Sequence, residues 1–250
     1  MIINFVKSSA PPPPAYVVPG FIQSHWFAEN ATVSGSTVVS VSDEQGTEDL
    51  IQFSTNATYE PTGWGGDSGP SIHINGHSLQ ANGWGPRVSG NKKSFLITAK
   101  VQILSTGVAD TPWGFTAGTG NNYPVHLAPR KIYTVQTDIF RCEYSFSTSS
   151  RYVRRYGTPL IADGNRHNLV VEFSGSTHRM WVDGVEMSYD FTDYSSTYYY
   201  CNFDKFVIGG WGTTGDACEL RLAEMHIYNS SVTDTIRNKL IADLQNRRGT

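Results

Sequence analysis

The stretch HNLVVEFSGSTHRMWVDGVEM, residues 167–187, decides the fold. Leu169, Val171 and Phe173 fall on one face of an extended chain, Ser174-Gly175-Ser176 turns it, and His178 to Val182 returns antiparallel. Asp183-Gly184 then makes a second tight turn, because a type I′ hairpin turn needs positive φ at both centres, which Asp tolerates and Gly adopts freely. This predicts consecutive hairpins, with Asp183 and Gly184 as turn residues and Trp181 packed in or beside a sheet.

The rest of the chain has the same character. Phe95, Ile97, Ala99, Val101 and Ile103 alternate with Leu96, Thr98, Lys100 and Gln102, giving a strand over 95–104 with one face on a core and the other wetter. ELRLAEMHIYN, residues 219–229, is apolar on both faces and reads as a central strand. Helical periodicity is confined to the end of the chain. There Ser231 or Thr233 can cap, Asp234 suits the positive end of the dipole, Ile236, Leu240 and Leu244 make an apolar stripe, and Arg247-Arg248-Gly249 close it. Near the other end, Pro11, Pro12, Pro13 and Pro14 lie in a segment that supplies few backbone donors and favours an extended conformation. The expected organisation is a proline-rich N-terminal arm over 1–19 and one all-β domain over 20–250.

At 250 residues and 39% apolar content the chain can build a sizeable core, and its net charge of −3 offers no field for a polyanion, so nucleic acid is not an expected partner. The N-terminal apolar run, Met1 to Val6, is interrupted by Asn4 and is too short for an export leader or a membrane span. Synthesis in a cytoplasm without classical export is expected. Cys142, Cys201 and Cys218 lack the paired spacing of a zinc or redox motif; a Cys201–Cys218 bridge and reduced thiols both remain open, the odd count favouring thiols.

The order of HNLVVEFSGSTHRMWVDGVEM, FVIGGWG and LAEMHIYNSSVTDTIRNKLIADLQNRRG resembles the concanavalin A-like, laminin G-type jelly rolls found in many phage virion proteins. The matching positions are Ser174-Gly175-Ser176, Trp181-Val182-Asp183-Gly184, Ile208-Gly209-Gly210, Ala223-Glu224 and Ile227-Tyr228-Asn229. The likeness covers about residues 24–250, is weakest over about 105–165, and rests on structural signals. It implies a concanavalin A-like jelly-roll sandwich of two antiparallel sheets with a short C-terminal helix. The implied role is a virion structural protein (capsid decoration, fibre or tail component) that docks on other virion proteins through its N-terminal arm, as a homo-oligomer within an assembly. A free lectin-like module ranks second and a glycoside hydrolase third, so the expectation is a chain that is not an enzyme. Relatives of this type often bind calcium with loop carboxylates. Asp67, Asp110, Asp163 and Asp216 lie in such loops, but no ligand set follows from spacing.

For hydrolysis, relatives that cleave glucans carry Glu-x-Asp-x-x-Glu on one strand. The comparable stretch here, Glu219 to Glu224, has Arg221 where the Asp belongs, and a period of two puts its glutamates on opposite faces unless a bulge intervenes. Glu224 is expected to accept hydrogen bonds inside the sandwich. His73, His77 and His126 make no clear metal set, since Asn75-Gly76 marks a turn between the first two. The most unusual local feature is Trp before Gly at Trp64, Trp84, Trp113 and Trp211. Exposed indoles there would form a platform for host or environmental glycans, helped by Asn122 or Arg155, whereas buried ones would simply close the ends of the sandwich.

Overall fold

The computed structural model describes residues 15–55, 57–64, 69–76, 78–84, 90–91, 94–104, 113–117, 122–132, 136–147, 150–156, 161, 163–174, 177–193, 200–201, 205–211 and 216–247. Within 115–156, 189–201 and 211–217 this extends to strand membership and pairing alone. Pro11 to Pro14 lie outside the described residues.

The described residues are mostly β-strand, with a helix at the C-terminal end, and the strands pair antiparallel in two layers. In the first layer Glu219–Tyr228 is central. Phe95–Ile103 runs along one side of it, followed by Arg166–Ser174 and Thr177–Val182. The other side is shared, with Ser71–Asn75 and then Ala57–Glu60 at one end and residues 23–27 of Gln23–Ser34 at the other. The second layer runs through Thr37–Asp43, Leu50–Gln52, Leu79–Ala81, Lys205–Ile208 and Trp113–Ala117, continuing into Asn122–Ile132, Gln136–Ser147, Ser150–Tyr156 and Tyr189–Asp193. Gln23–Ser34 joins the layers, its register breaking between Trp26 and Ala31 before residues 31–34 pair with Thr37–Asp43.

Alternation fills the space between the layers. Ile97, Ala99, Val101, Leu169, Val171, Leu222, Met225 and Ile227 from the first layer meet Val41, Leu50, Leu79, Phe206 and Ile208 from the second, all buried. Trp26 stacks on Phe206 with ring centroids 6.1 Å apart, and its indole N–H donates to the Glu48 carbonyl.

The outward face of the first layer carries a second core. Leu96, Val170, Trp181 and Tyr228 are covered by Leu240, Ile241 and Leu244 of the helix Asp234–Asn246 and by Val18. Thr233 caps that helix, its side chain accepting from the Ile236 N–H. Arg237 pins it by donating from Nη2 and Nε to Glu172 Oε2 at 2.6 and 3.0 Å, both groups being buried. The expectation of a wetter outer face on the 95–104 strand is therefore corrected: Thr98 and Lys100 are buried. The last residues of the 1–19 segment are also built in, since Ala15 and Val18 are buried and the Tyr16 N–H donates to Asp243. Cys218 is buried, and the side chain of Cys201 lies outside the described residues.

Asp183 and Gly184 have φ of 50° and 85°, the positive pair the hairpin requires. A Cβ on Gly184 would also approach Gln245 Nε2 to 2.4 Å. Gly184→Val is expected to lower stability by about 1–3 kcal/mol, read as a fall in thermal midpoint, through forced positive φ and displacement of Gln245.

Candidate functional site

The sheet register places one row of polar side chains across five strands of the first layer: Thr58, His73, Arg221, Gln102 and Arg166 are successive cross-strand partners. Each belongs to a strand whose alternate residues enter the core, so the row faces outward. Glu60 and Glu219 border it. Arg221 Nε donates to Glu60 Oε2 at 2.7 Å, and Ser71 Oγ donates to the same oxygen at 3.3 Å. His73 Nε2 lies 2.9 Å from Glu219 Oε1, while His73 Nδ1 lies 3.8 Å from Glu60 Oε1. Gln102 donates to the Gly164 carbonyl at 2.6 Å and accepts from Arg221 Nη1 at 3.4 Å. His73, Glu60 and Arg221 are about a quarter exposed, and Glu219 is 41% exposed.

These groups are held in position by one another yet remain in reach of solvent. Carboxylate, imidazole, amide and guanidinium alternate as acceptors and donors, which suits a ligand rich in hydroxyls, each of which both donates and accepts.

The same outward face continues beneath the helix as an ionic layer. The register of Glu219–Tyr228 shifts between Leu222 and Glu224, and this bulge at Ala223 returns Glu224 to the side of Glu219 and Arg221. Glu224 is thus buried under the helix, not inside the sandwich as expected. The two glutamates stand about 16 Å apart along the strand, too far for a hydrolytic carboxylate pair at about 5–10 Å. Burial pushes the Glu224 carboxyl up to about 7 against the pull of Arg247 and Lys100, and brings the Lys100 ammonium down to about 8. His25 and His226 lie beside them with ring centroids 4.6 Å apart. Burial holds both neutral, lowering His25 to about 2 and His226 well below the ordinary imidazole value.

Asp183 does more than turn the chain. It accepts from His167 Nδ1 at 2.8 Å and from the Asn168 N–H at 2.8 Å, while Asp163 faces His167 Nε2 at 3.1 Å. Burial disfavours the imidazolium, but the two carboxylates outweigh it and raise the His167 pKa. Among the described residues, no group of three or more His, Cys, Asp or Glu side chains is arranged to hold a metal ion.

The indole platform is corrected. Trp64, Trp84 and Trp113 are 1%, 0% and 1% exposed, so they present no face to a sugar. Trp84 and Trp113 belong to the central core, the Trp84 N–H donating to Ser24 Oγ, and Trp64 lies under the Arg166 guanidinium at 5.3 Å. Trp211 sits in a short strand opposite Asp216, Asn122 pairs with Ala117, and Arg155 lies opposite Arg141 and Phe191. The side chains of these three lie outside the described residues. Sequence reasoning weighed His73, Glu219 and Arg221 for other roles and missed Glu60, Gln102 and Arg166. The available signal was polar residues at alternate positions in SIHIN, TAKVQI and ELRLAEM.

No family model matches the chain, and no curated protein matches its sequence. Solved structures do match. Domain 4 of AbnA, an extracellular arabinanase from Geobacillus stearothermophilus in complex with arabinotriose, aligns over 88% of this chain and 96% of its own, with TM-score 0.58 and 15% identity. The binding domain of Paraclostridial Mosquitocidal Protein 1 aligns over 90% and 52%, with TM-score 0.58 and 10% identity. The Trypanosoma rangeli sialidase in complex with difluorosialic acid aligns over 98% of this chain but 36% of its own, with TM-score 0.60 and 13% identity. The shared fold is a β-sandwich. At such identities the likeness shows the fold alone, and the chain spans about a third of the sialidase. The expectation that the chain is not an enzyme is corrected on this finding, because the fold it shares occurs in an arabinanase and a sialidase.

Proposed function

We propose that this chain is a saccharide-binding β-sandwich domain whose ligand lies across the outward polar row of the first layer. The observation that carries the reading is the row itself: His73, Arg221 and Gln102, bordered by Glu60 and Glu219, are partly exposed polar groups fixed by mutual hydrogen bonds. A preorganised set of this kind avoids the ordering cost of recruiting long side chains one by one. Fold relatives solved with arabinotriose and with a sialic acid derivative support it.

A multivalent display of the chain on a glycan array tests this, with released sugar measured in the same samples. Single sites of this polarity have affinities on the order of millimolar to tens of micromolar, so many copies are needed for a signal. Arg221→Ala is expected to reduce the signal about tenfold or more, by removing a guanidinium from the row and loosening Glu60. An unaltered signal in the folded variant would place the ligand elsewhere.

The finer reading, a jelly-roll head on a phage particle docked through Pro11–Pro14, rests on the sequence resemblance. Because Ala15 and Val18 pack on the domain, deleting residues 1–14 is expected to leave the thermal midpoint unchanged while lowering incorporation into particles. Full incorporation would remove the role of the arm.

A further inference from the structure

We infer that Arg166, stacked on Trp64, is a carboxylate-binding position at one end of the polar row, and that the saccharide is therefore an acidic one. This rests on the saccharide reading above and deepens it.

Five arginines have described side chains, and four of them are ion-paired: Arg179 with Glu186, Arg221 with Glu60, Arg237 with Glu172 and Arg247 with Asp243. Arg166 differs. Among the described residues no carboxylate reaches it, and its guanidinium lies over the Trp64 ring, with Cζ 5.3 Å from the ring centre. Asp163, three residues earlier, is turned to His167 and Asn165. The aromatic face fixes the guanidinium without neutralising it, so its fork of N–H donors stays available.

A second observation lies beside the first. Trp64 is buried, and among the described residues its indole N–H has no acceptor. Guanidinium and indole are both donor-only groups. The Trp64 N–H is closed to solvent, so a ligand's anionic oxygen would meet the Arg166 fork, on an edge of the row that is rich in donors. Elsewhere in the row Arg221 is paired with Glu60, and Glu219 faces His73. The row therefore has a polarity: Arg166 is a guanidinium with no carboxylate partner among the described residues at one end, and Glu219 with His73 supplies hydroxyl partners at the other. Three strand spacings, about 14 Å, separate His73 from Arg166, enough for an oligosaccharide to meet both ends.

Titration calorimetry on the full chain tests this with matched pairs, trigalacturonate against its methyl ester and sialyllactose against lactose, plus a sulfated trisaccharide. At least one acidic member is expected to bind about tenfold tighter than its neutral partner, with the advantage shrinking as salt is raised, and Arg166→Gln is expected to bring its affinity down to the neutral value. Arg166→Lys, which keeps the charge but loses the fork, should retain part of the difference. Equal affinity within every pair, or a ratio that survives Arg166→Gln, overturns the assignment and leaves the saccharide reading standing. Tighter binding of the sulfated sugar than of either carboxylate overturns the carboxylate assignment. No binding of any sugar here or on the array overturns the saccharide reading. If Arg166→Gln does not fold, the matched pairs on the unaltered chain still decide.

Discussion

Trp84→Ala is expected to lower the unfolding free energy by about 3–5 kcal/mol, because it empties a fully buried site instead of removing a ligand contact. The indole is 0% exposed, and its N–H donates to Ser24 Oγ at 2.9 Å, so truncation leaves both a cavity and a buried hydroxyl without its donor. Urea unfolding at fixed pH measures the effect. At low denaturant, where the variant is still mostly folded, glycan binding should match that of the unaltered chain. A variant with unchanged stability and abolished binding would return the indole to the role of a stacking surface.

Acid should destabilise the fold steeply below about pH 4.5, because two buried histidines resist protonation. His25 and His226 have folded pKa values far below their ordinary 6.5, so the unfolded chain takes up protons that the folded one refuses, and stability falls as pH drops below 6.5. Glu224 acts in the opposite sense between its ordinary 4.5 and about 7, where the folded state holds a proton that the unfolded state has released. His167, raised by its two carboxylates, likewise favours the folded state at lower pH. Glu224 offsets part of the histidine loss between pH 6.5 and 4.5, whereas the His167 gain is complete once the pH has fallen below about 6.5. Below 4.5 Glu224 is protonated in both states, and the two histidines alone give a slope of up to about 2.7 kcal/mol per pH unit. Denaturant midpoints at pH 7, 5, 4 and 3.5 check the shape, and His25→Phe, which cannot take up the proton, should flatten the lower limb.

Local physics was legible in the sequence wherever one residue's conformational needs sufficed. Asp183-Gly184 had to turn because both centres need positive φ, and Thr233 could cap because its hydroxyl reaches the Ile236 N–H. The exposure of the tryptophans was not legible, since a following glycine says that the backbone can turn and not which way the ring faces. The outward side of Phe95–Ile103 was misjudged for a related reason: alternation identifies two faces, but the helix that covers Thr98 and Lys100 begins more than a hundred residues later. The polar row lay further out of reach. Its members come from positions between 58 and 221, and the register of four separate strand pairs brings them together. The bulge at Ala223, which moves Glu224 to the face of Glu219, leaves no mark in the sequence that alternation alone could read.

The central claim is that saccharide meets the outward face of the first layer and not the tryptophan-bearing turns. An NMR titration of the isotopically labelled chain with the strongest array ligand tests it most directly. The account predicts that the largest amide shifts fall on residues 71–75, 100–104 and 219–222, with the Trp84 and Trp113 indole signals unmoved. Shifts concentrated on those indole signals, with residues 71–75 and 219–222 silent, would contradict it.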